Sequence, residues 1–237
     1  MNIFLKIVTL TLVVAFSSCN KEKEKPKVIY ENAVKAQNTV KADTTSVTLV
    51  DLPIQMQGTN YLLFPVGELR TTGSIYDAAS KGGQLSYKVS NYSEYQLTGF
   101  MRNIKFQQVG KDTITPLTDK NILIQSVTYL KIFADKTKQQ ILVYELEDMD
   151  TNKDIRLDDS DIKSLYLSDI SGNRFTKVSV DLQELIDWNL VESLNRLYYR
   201  TIEDTNKNGA FEKNDKLHYY YVDLTLKNWE SIEYNPN

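Results

Sequence analysis

Residues 204–215 combine the side-chain types and the spacing that a bound divalent cation requires. Asp204, Asn206 and Asn208 stand at positions 1, 3 and 5 of this stretch, and a glycine follows at position 6. Hard cations such as Ca²⁺ take about six to eight oxygen ligands, and this alternation wraps three of them around one point. Glu212 at position 9 and Asp215 at position 12 add carboxylates that close the loop. We expect these residues to bind a structural calcium ion.

A second stretch, residues 150–161, has oxygen-bearing side chains at the same positions: Asp150, Asn152, Asp154, Asp158 and Asp161. It differs at position 6, where Ile155 replaces the glycine. A β-branched residue is disfavoured at the positive φ that such a turn needs, so we expect strain in this copy. A register that begins at Asp148 also fits the pattern. For both stretches, the alternative to metal binding is an ordinary polar hairpin turn, which the same residue types make.

An internal repeat relates the two stretches. Sliding the chain against itself by 54 residues places the run Asp150-Thr151-Asn152-Lys153 on the run Asp204-Thr205-Asn206-Lys207. This alignment favours the register that begins at Asp150. Leu217, Tyr219 and Tyr221 alternate after the second stretch, which is typical of a strand and not of a helix. We therefore expect each acidic loop to join the two strands of a β-hairpin.

Both loops resemble the calcium loops of EF-hands, dockerins and integrin-type propellers. In the second copy, Asp204, Asn206 and Asn208 match the side-chain ligands of those families, and residues 207–209 match their turn. The resemblance covers about twelve residues in each copy. It implies calcium as the cofactor, bound to stabilise the loops.

Residues 1–19 have the plan of an export signal. Lys6 is the basic residue of the start, residues 7–16 form an almost unbroken apolar run, and two serines precede Cys19, the only cysteine in the chain. An apolar run of about ten residues is too short to span a bilayer. The segment resembles the signal peptide and lipobox of bacterial lipoproteins, with Phe16 where that family usually has leucine. The resemblance implies removal of residues 1–18, acylation of Cys19 and anchoring in a membrane of the cell envelope.

The remaining chain divides into a tether and a series of β regions. The mixed-charge run at residues 20–27 cannot bury enough apolar surface to order itself, and it resembles the export signals of surface lipoproteins in Bacteroidetes-type bacteria. We expect the anchor to lie in the outer membrane or at the cell surface. The predicted divisions are a signal peptide at 1–18, a lipid-anchored tether at 19–60, an N-terminal β region at 61–128, and β repeats at 129–180 and 181–237.

Short apolar-alternating runs bounded by turn residues are typical of antiparallel strands. Such runs occupy residues 61–66, 84–89, 95–100, 104–109, 122–127 and 130–133. We predict an all-β, mainly antiparallel protein whose four-stranded repeats resemble the blades of a β-propeller. A β-sandwich or an open stack of sheets is the alternative. Asp181 and Glu184 form a capping pair that predicts a short helix within residues 181–188.

Composition disfavours several classes of function. His218 is the only histidine and Cys19 the only thiol. Catalytic sites and zinc sites that need several His or Cys side chains are therefore disfavoured. Of 28 basic and 31 acidic residues only Lys6 leaves with the signal peptide, and the net charge of -4 that remains gives no indication of nucleic acid binding.

We predict a non-enzymatic, membrane-anchored envelope lipoprotein that binds or scaffolds a protein or a glycan. Trp188, Trp229 and residues 219–221 are candidates for stacking on such a partner, although alternating tyrosines are more often structural. A carboxylate-type hydrolase acting on envelope glycans is the alternative, because two carboxylates perform that chemistry without His or Cys.

Overall fold

The computed structural model describes residues 26–30, 46–70 and 88–236. Over this part of the chain the protein is all-β, with antiparallel strands in two sheets and one short helix, so the predicted fold class is confirmed. The predicted signal peptide and Cys19 lie outside the described residues, as does most of the run at 84–89. Within the described ranges, no helix is long and apolar enough to cross a membrane.

The larger sheet fills the first part of the described chain. Its strands are β1 (Ser46–Val50), β2 (Ile54–Gln55), β3 (Tyr61–Arg70), β4 (Ser90–Ser93), β5 (Gln96–Gln108), β6 (Ile114–Pro116), β7 (Leu123–Tyr129), β8 (Ile141–Glu147), β9 (Lys163–Asp169) and β10 (Thr176–Lys177). The main order is β1-β3-β5-β7-β8-β9-β10, while β2 pairs with β3, and β4 and β6 pair with β5. From β7 to β10, each strand pairs antiparallel with the strand that follows it in the chain.

The smaller sheet contains β11 (Gln183–Val191), β12 (Arg196–Glu203), β13 (Lys216–Asp223) and β14 (Ser231–Glu233), in that order. One of its faces packs on the larger sheet. Leu197 and Tyr199 of β12 share a buried cluster with Val143 of β8 and Leu165 of β9. Apolar burial between the sheets therefore fixes β12 relative to β8.

Strand β8 is buried on both of its faces. Ile141 and Val143 face the smaller sheet, whereas Leu142, Tyr144 and Leu146 face a second core inside the larger sheet. Successive side chains of a strand point to opposite faces, and here each face meets a core. The carboxyl end of β8, where the first acidic loop begins, is thus held by packing on two sides.

Two local predictions were wrong. The run at 130–133 was predicted as a strand, but it leads into helix α1 (Lys131–Thr137), which buries Phe133 and Ala134. The helix predicted within 181–188 is strand β11. A β-bulge between Leu185 and Asp187 interrupts its alternation, and the two carboxylates of the predicted capping pair instead bind lysines, Asp181 with Lys177 and Glu184 with Lys27.

The tether and the blades also differ from expectation. Strands β1 and β2 lie within the predicted tether, because the β-branched run of β1 pairs with β3. The Asp51 carboxylate then accepts the N–H groups of Val89 and Ser90 at 3.0 and 2.9 Å. Propeller-like blades are not shown: the first repeat lies inside the larger sheet, and the second lies in the four-stranded one.

Candidate metal centres

Each acidic loop joins the two strands of a hairpin, as the alternation of residues predicted. The first loop (residues 150–161) connects β8 to β9, and the second loop (residues 204–215) connects β12 to β13. Both hairpins pack through the cluster between the sheets. The loops therefore extend from strands whose positions are fixed by burial.

The first loop is folded around its own side-chain oxygens. The Asp150 carboxylate accepts the backbone N–H groups of Asp154 at 3.2 Å and of Ile155 at 2.9 Å. The Asn152 side-chain oxygen accepts the same Asp154 N–H at 3.0 Å. Asp154 in turn accepts the N–H of Arg156 at 2.9 Å. The oxygens of positions 1 and 3 thus converge on one donor inside the turn.

The second loop repeats this pattern contact for contact. Asp204 accepts the N–H groups of Asn208 at 3.2 Å and of Gly209 at 2.7 Å. The Asn206 oxygen also accepts the Asn208 N–H, at 2.9 Å, and Asn208 accepts the N–H of Ala210 at 2.8 Å. Corresponding residues are 54 positions apart. The sequence repeat and the folded loops therefore share one register.

Both turns need residues at positive φ. Lys153 and Ile155 have φ of 58° and 68° in the first loop, and Lys207 and Gly209 have φ of 56° and 86° in the second. The strain expected at Ile155 is present, and a non-glycine residue in this region costs about 1–2 kcal/mol. Leu157 at position 8 is buried, whereas Ile155 is 43% exposed. Ile155 is therefore not the apolar anchor that the register from Asp148 required.

The contacts of the Asp148 side chain show that this residue lies outside the first acidic loop. It accepts hydrogen bonds from the hydroxyl groups of Ser164 at 3.1 Å and Tyr166 at 2.7 Å. The ammonium group of Lys177 lies 2.9 Å away. Asp148 thus joins β9 and β10 and does not begin the acidic loop.

Asp161, at position 12, closes the first loop from inside and is fully buried. Its carboxylate accepts N–H groups from Thr151 at 2.7 Å, Asn152 at 3.3 Å and Asp158 at 3.0 Å. Asp158, at position 9, accepts the N–H of Ser160 at 2.9 Å. Burial raises the pKa of Asp161 above its ordinary value, against the effect of these donors. In this geometry the Asp161 carboxylate joins the two ends of the first loop by hydrogen bonds.

Asp215 does the same in the second loop. It accepts the N–H groups of Glu212 at 2.8 Å and Thr205 at 3.2 Å, together with the Thr205 hydroxyl at 3.1 Å. The backbone donors of Glu212 and Thr205 hold the pKa of Asp215 below its ordinary value. The threonine at position 2 was not recognised from the sequence, although the repeated Asp-Thr-Asn-Lys run contained the signal.

The N-terminal segment (residues 26–30) contacts both loops, which the sequence did not predict. The N–H groups of Lys27 and Val28 donate to the Gly209 carbonyl at 2.7 and 3.3 Å. The Ile29 N–H donates to the Thr151 carbonyl at 2.9 Å, and the Thr151 hydroxyl donates to the Lys27 carbonyl at 2.7 Å. Val28 is buried. This part of the predicted tether is therefore folded onto the loops.

Two side chains of the same segment add polar contacts. The Lys27 ammonium group lies 2.8 Å from the Glu184 carboxylate, and this carboxylate also accepts the N–H of Lys163 at 3.0 Å. The Tyr30 hydroxyl is hydrogen bonded to Asp204. Burial and the neighbouring Asp204 carboxylate raise the pKa of Tyr30 to about 12.

Glu147, at the end of β8, is a buried carboxyl group. Its Oε1 atom accepts a hydrogen bond from Gln125 at 2.6 Å. Burial is the main cause that raises its pKa to about 8, and the charge of Glu184 adds to the effect. Glu147 is 0% exposed, so in this conformation it cannot contact a substrate.

His218 lies on β13 between two carboxylates. Its Nδ1 and Nε2 atoms are each 2.8 Å from a glutamate, Glu233 and Glu203 respectively. The ring itself is buried and stacks on Tyr220. The arrangement links three strands of the smaller sheet.

The predicted stacking residues divide between core and surface. Trp229 is buried, and the Trp188 ring N–H donates to Glu145 at 2.9 Å. On the outer face of the smaller sheet, a shallow cavity of about 280 Å³ remains open. Its lining includes Asp187, Tyr198, Arg200, Tyr219 and Tyr234.

No cluster of three or more His, Cys, Asp or Glu side chains close enough to hold a metal ion occurs within the described ranges. The loops instead combine carboxylates with asparagine oxygens at positions 1, 3 and 5. Comparisons of the chain with models of protein families, with curated proteins and with solved structures find no match. The site must therefore be interpreted from its own geometry.

Proposed function

We propose that this protein is a non-enzymatic lipoprotein of the bacterial cell envelope, a binding or scaffolding module whose two acidic loops are ordered by calcium. The observation that carries the proposal is the shared hydrogen-bond pattern of the loops. In each, the oxygens of positions 1 and 3 converge on the N–H of position 5, Asp154 or Asn208. The two copies of the repeat thus form the same geometry, although they differ at positions such as Ile155 and Gly209.

The donor set suits a hard cation. Asp150, Asn152 and Asp154 in the first loop, and their counterparts in the second, present carboxylate and amide oxygens, which are the ligands that Ca²⁺ takes. The sharp turn at positions 4 to 6 is already formed. Bound calcium would neutralise these carboxylates, and Asp161 and Asp215 would keep the loop ends closed through their backbone donors.

The membrane anchor rests on the signal segment and Cys19. A thiol placed directly after two small residues is the acceptor that lipoprotein acylation requires. Two or three acyl chains hold a protein on a bilayer far more firmly than one, at about 0.8 kcal/mol per buried methylene. The partner is proposed to be a protein or a glycan, and the open aromatic cavity around Tyr198 and Tyr219 is the surface best suited to it.

The anchor is tested by growing the producing bacterium with a labelled fatty acid. Label is expected in the wild-type protein and not in Cys19→Ala. The variant Ser193→Cys/Cys19→Ala, which moves the thiol to an exposed turn, is the matched control and should also remain unlabelled. Release of the wild type as an unmodified secreted protein would exclude the lipoprotein assignment.

The hydrolase alternative gains no support from the described residues. Glu147 has the raised pKa of a general acid, but it is enclosed by the core. The carboxylates of the loops accept backbone N–H groups. A pair of carboxylates facing a common cleft is what glycan hydrolysis would need.

A further inference from the structure

We propose that the N-terminal segment is a latch, docked across both acidic loops, which holds the loop-bearing end of the protein close to the membrane. The proposal rests on acylation of Cys19, the anchor proposed above. It goes beyond that function because it assigns an orientation to the folded part. The evidence is the set of contacts of residues 26–30 and the length of chain between these residues and the anchor.

The latch fits its position closely. A Cβ atom added at Gly209 would lie 2.4 Å from the Val28 carbonyl oxygen and 2.6 Å from the Pro26 Cβ atom. Val28 is only 3% exposed. The segment therefore lies directly on the turn of the second loop, with no space for another atom between them.

The same segment also reaches the first loop. The Ile29 N–H donates to the Thr151 carbonyl, and the Thr151 hydroxyl donates to the Lys27 carbonyl. The Lys27 ammonium group lies 3.4 Å from the Asp161 carbonyl oxygen. Lys27 is further paired with Glu184 of β11. One short segment thus contacts two loops that belong to different sheets, and its position is defined from both sides.

Covalent geometry then limits the distance to the anchor. Cys19 and Pro26 are seven residues apart. A fully extended chain spans at most about 3.6 Å per residue, so Pro26 lies within about 25 Å of the acylated residue. While the latch is docked, the turn of the second loop at Gly209, which lies against Pro26, remains within about that distance of the membrane.

The opposite end of the folded part is restrained less closely. The turn around Ser193 lies at the other end of β12, a strand of eight residues. At about 3.4 Å per residue this turn is about 27 Å from the second loop. The docked latch therefore keeps the second acidic loop, on average, nearer to the bilayer than the turn at Ser193.

The test uses the full acylated protein in phosphatidylcholine vesicles that contain a lipid with a contact quencher on its headgroup. A fluorophore is attached through Lys213→Cys, beside the second loop, or through Ser193→Cys. Both residues are exposed. Quenching is expected at position 213 and little or none at position 193. Equal quenching at both positions, or stronger quenching at 193, would overturn the proposal.

The restraint on the loops is then removed in two ways, by opening the latch or by lengthening the chain between the latch and Cys19. Val28→Asp places a charge in a buried position, whereas Val47→Asp makes the same change where the side chain is 42% exposed. Insertion of a long Gly-Ser linker after Asn20 lengthens the chain between Cys19 and the latch, and it leaves the latch itself unchanged. The difference in quenching should be lost in Val28→Asp and in the linker variant, and kept in Val47→Asp. If the difference in quenching between positions 213 and 193 persists in Val28→Asp and in the linker variant, the proposal is overturned.

Two further measurements keep the outcomes separate. The mass of each sample shows whether Cys19 is acylated. A wild-type protein without acyl groups would exclude the membrane anchor, but it would not exclude docking of residues 26–30 on the loops. Amide hydrogen exchange of the wild type tests docking alone. The N–H groups of Lys27, Val28 and Ile29 are expected to exchange slowly, and exchange at the rate of an unfolded chain would overturn the latch even if Val28→Asp fails to fold.

Discussion

Gly209 lies beneath the N-terminal segment, and its replacement by alanine measures what that contact contributes. Gly110 is the matched control, because its φ of 80° is close to the 86° of Gly209 but a Cβ atom there would meet nothing within 4 Å. Both substitutions place alanine at positive φ, which costs about 1 kcal/mol, and a less flexible unfolded chain offsets part of this. Gly110→Ala should therefore lower the free energy of unfolding by at most about 1 kcal/mol.

Gly209→Ala must in addition displace residues 26–30. A Cβ atom at position 209 would overlap the Val28 carbonyl oxygen and the Pro26 Cβ atom, so the segment must shift and give up part of its contacts. Forcing an added methyl group into a close-packed contact costs about 1–3 kcal/mol, so the net loss should be about 1–3 kcal/mol beyond the control. At about 2–4 °C per kcal/mol, the melting temperature should fall several degrees further than in Gly110→Ala.

The assay is thermal unfolding of the chain from Asn20 onward, followed by circular dichroism, with hydrogen exchange of residues 26–30 measured on the same samples. Faster exchange is expected in Gly209→Ala only. Equal melting temperatures for the two variants, with unchanged exchange in residues 26–30, would refute the reasoning.

Two further substitutions test the first loop and the buried carboxyl group. Ile155→Gly should relieve the backbone strain at φ 68° and therefore tighten calcium binding to the first loop, while binding to the second loop stays unchanged. A calorimetric titration measures both sites. Weaker binding to the first loop would contradict the register that begins at Asp150. Glu147 has a folded pKa of about 8 against an ordinary value of 4.5, so the folded state binds the extra proton between these values and stability falls as pH rises through this window. At about 1.4 kcal/mol per pKa unit, the loss is on the order of 4 kcal/mol. Urea unfolding of wild type and Glu147→Gln from pH 4.5 to 8 should show this slope in the wild type alone, and parallel curves would exclude it.

Features encoded by local pattern could be predicted from the sequence. The alternation of Leu217, Tyr219 and Tyr221 gave β13, and the repeat at 54 residues gave the register in which Asp150 and Asp204 make the same contacts. The strain at Ile155 followed from its β-branched side chain at a position that turns sharply. These predictions depend on neighbours in the chain, which is why one sequence sufficed.

Features decided by distant packing were missed. Nothing in the two repeats distinguishes the hairpin that enters the larger sheet from the one that builds the smaller sheet, because the choice depends on cores such as that around Val143. The β-bulge after Leu185 interrupts the alternation by which β11 could have been recognised as a strand. Residues 26–30 have one buried apolar side chain, Val28, too short a pattern to indicate a docking segment.

A calcium titration of melting temperature tests the central claim most directly. The chain from Asn20 onward is freed of metal and melted with increasing Ca²⁺, beside Asp204→Ala and the exposed control Asp112→Ala. An ion that binds only the folded state adds about 2.7 kcal/mol at a hundredfold excess over Kd. The wild type and Asp112→Ala should gain several degrees, reversed by chelator, and Asp204→Ala should gain less. An unchanged melting temperature in metal-free wild type, with no heat of binding, would contradict the account.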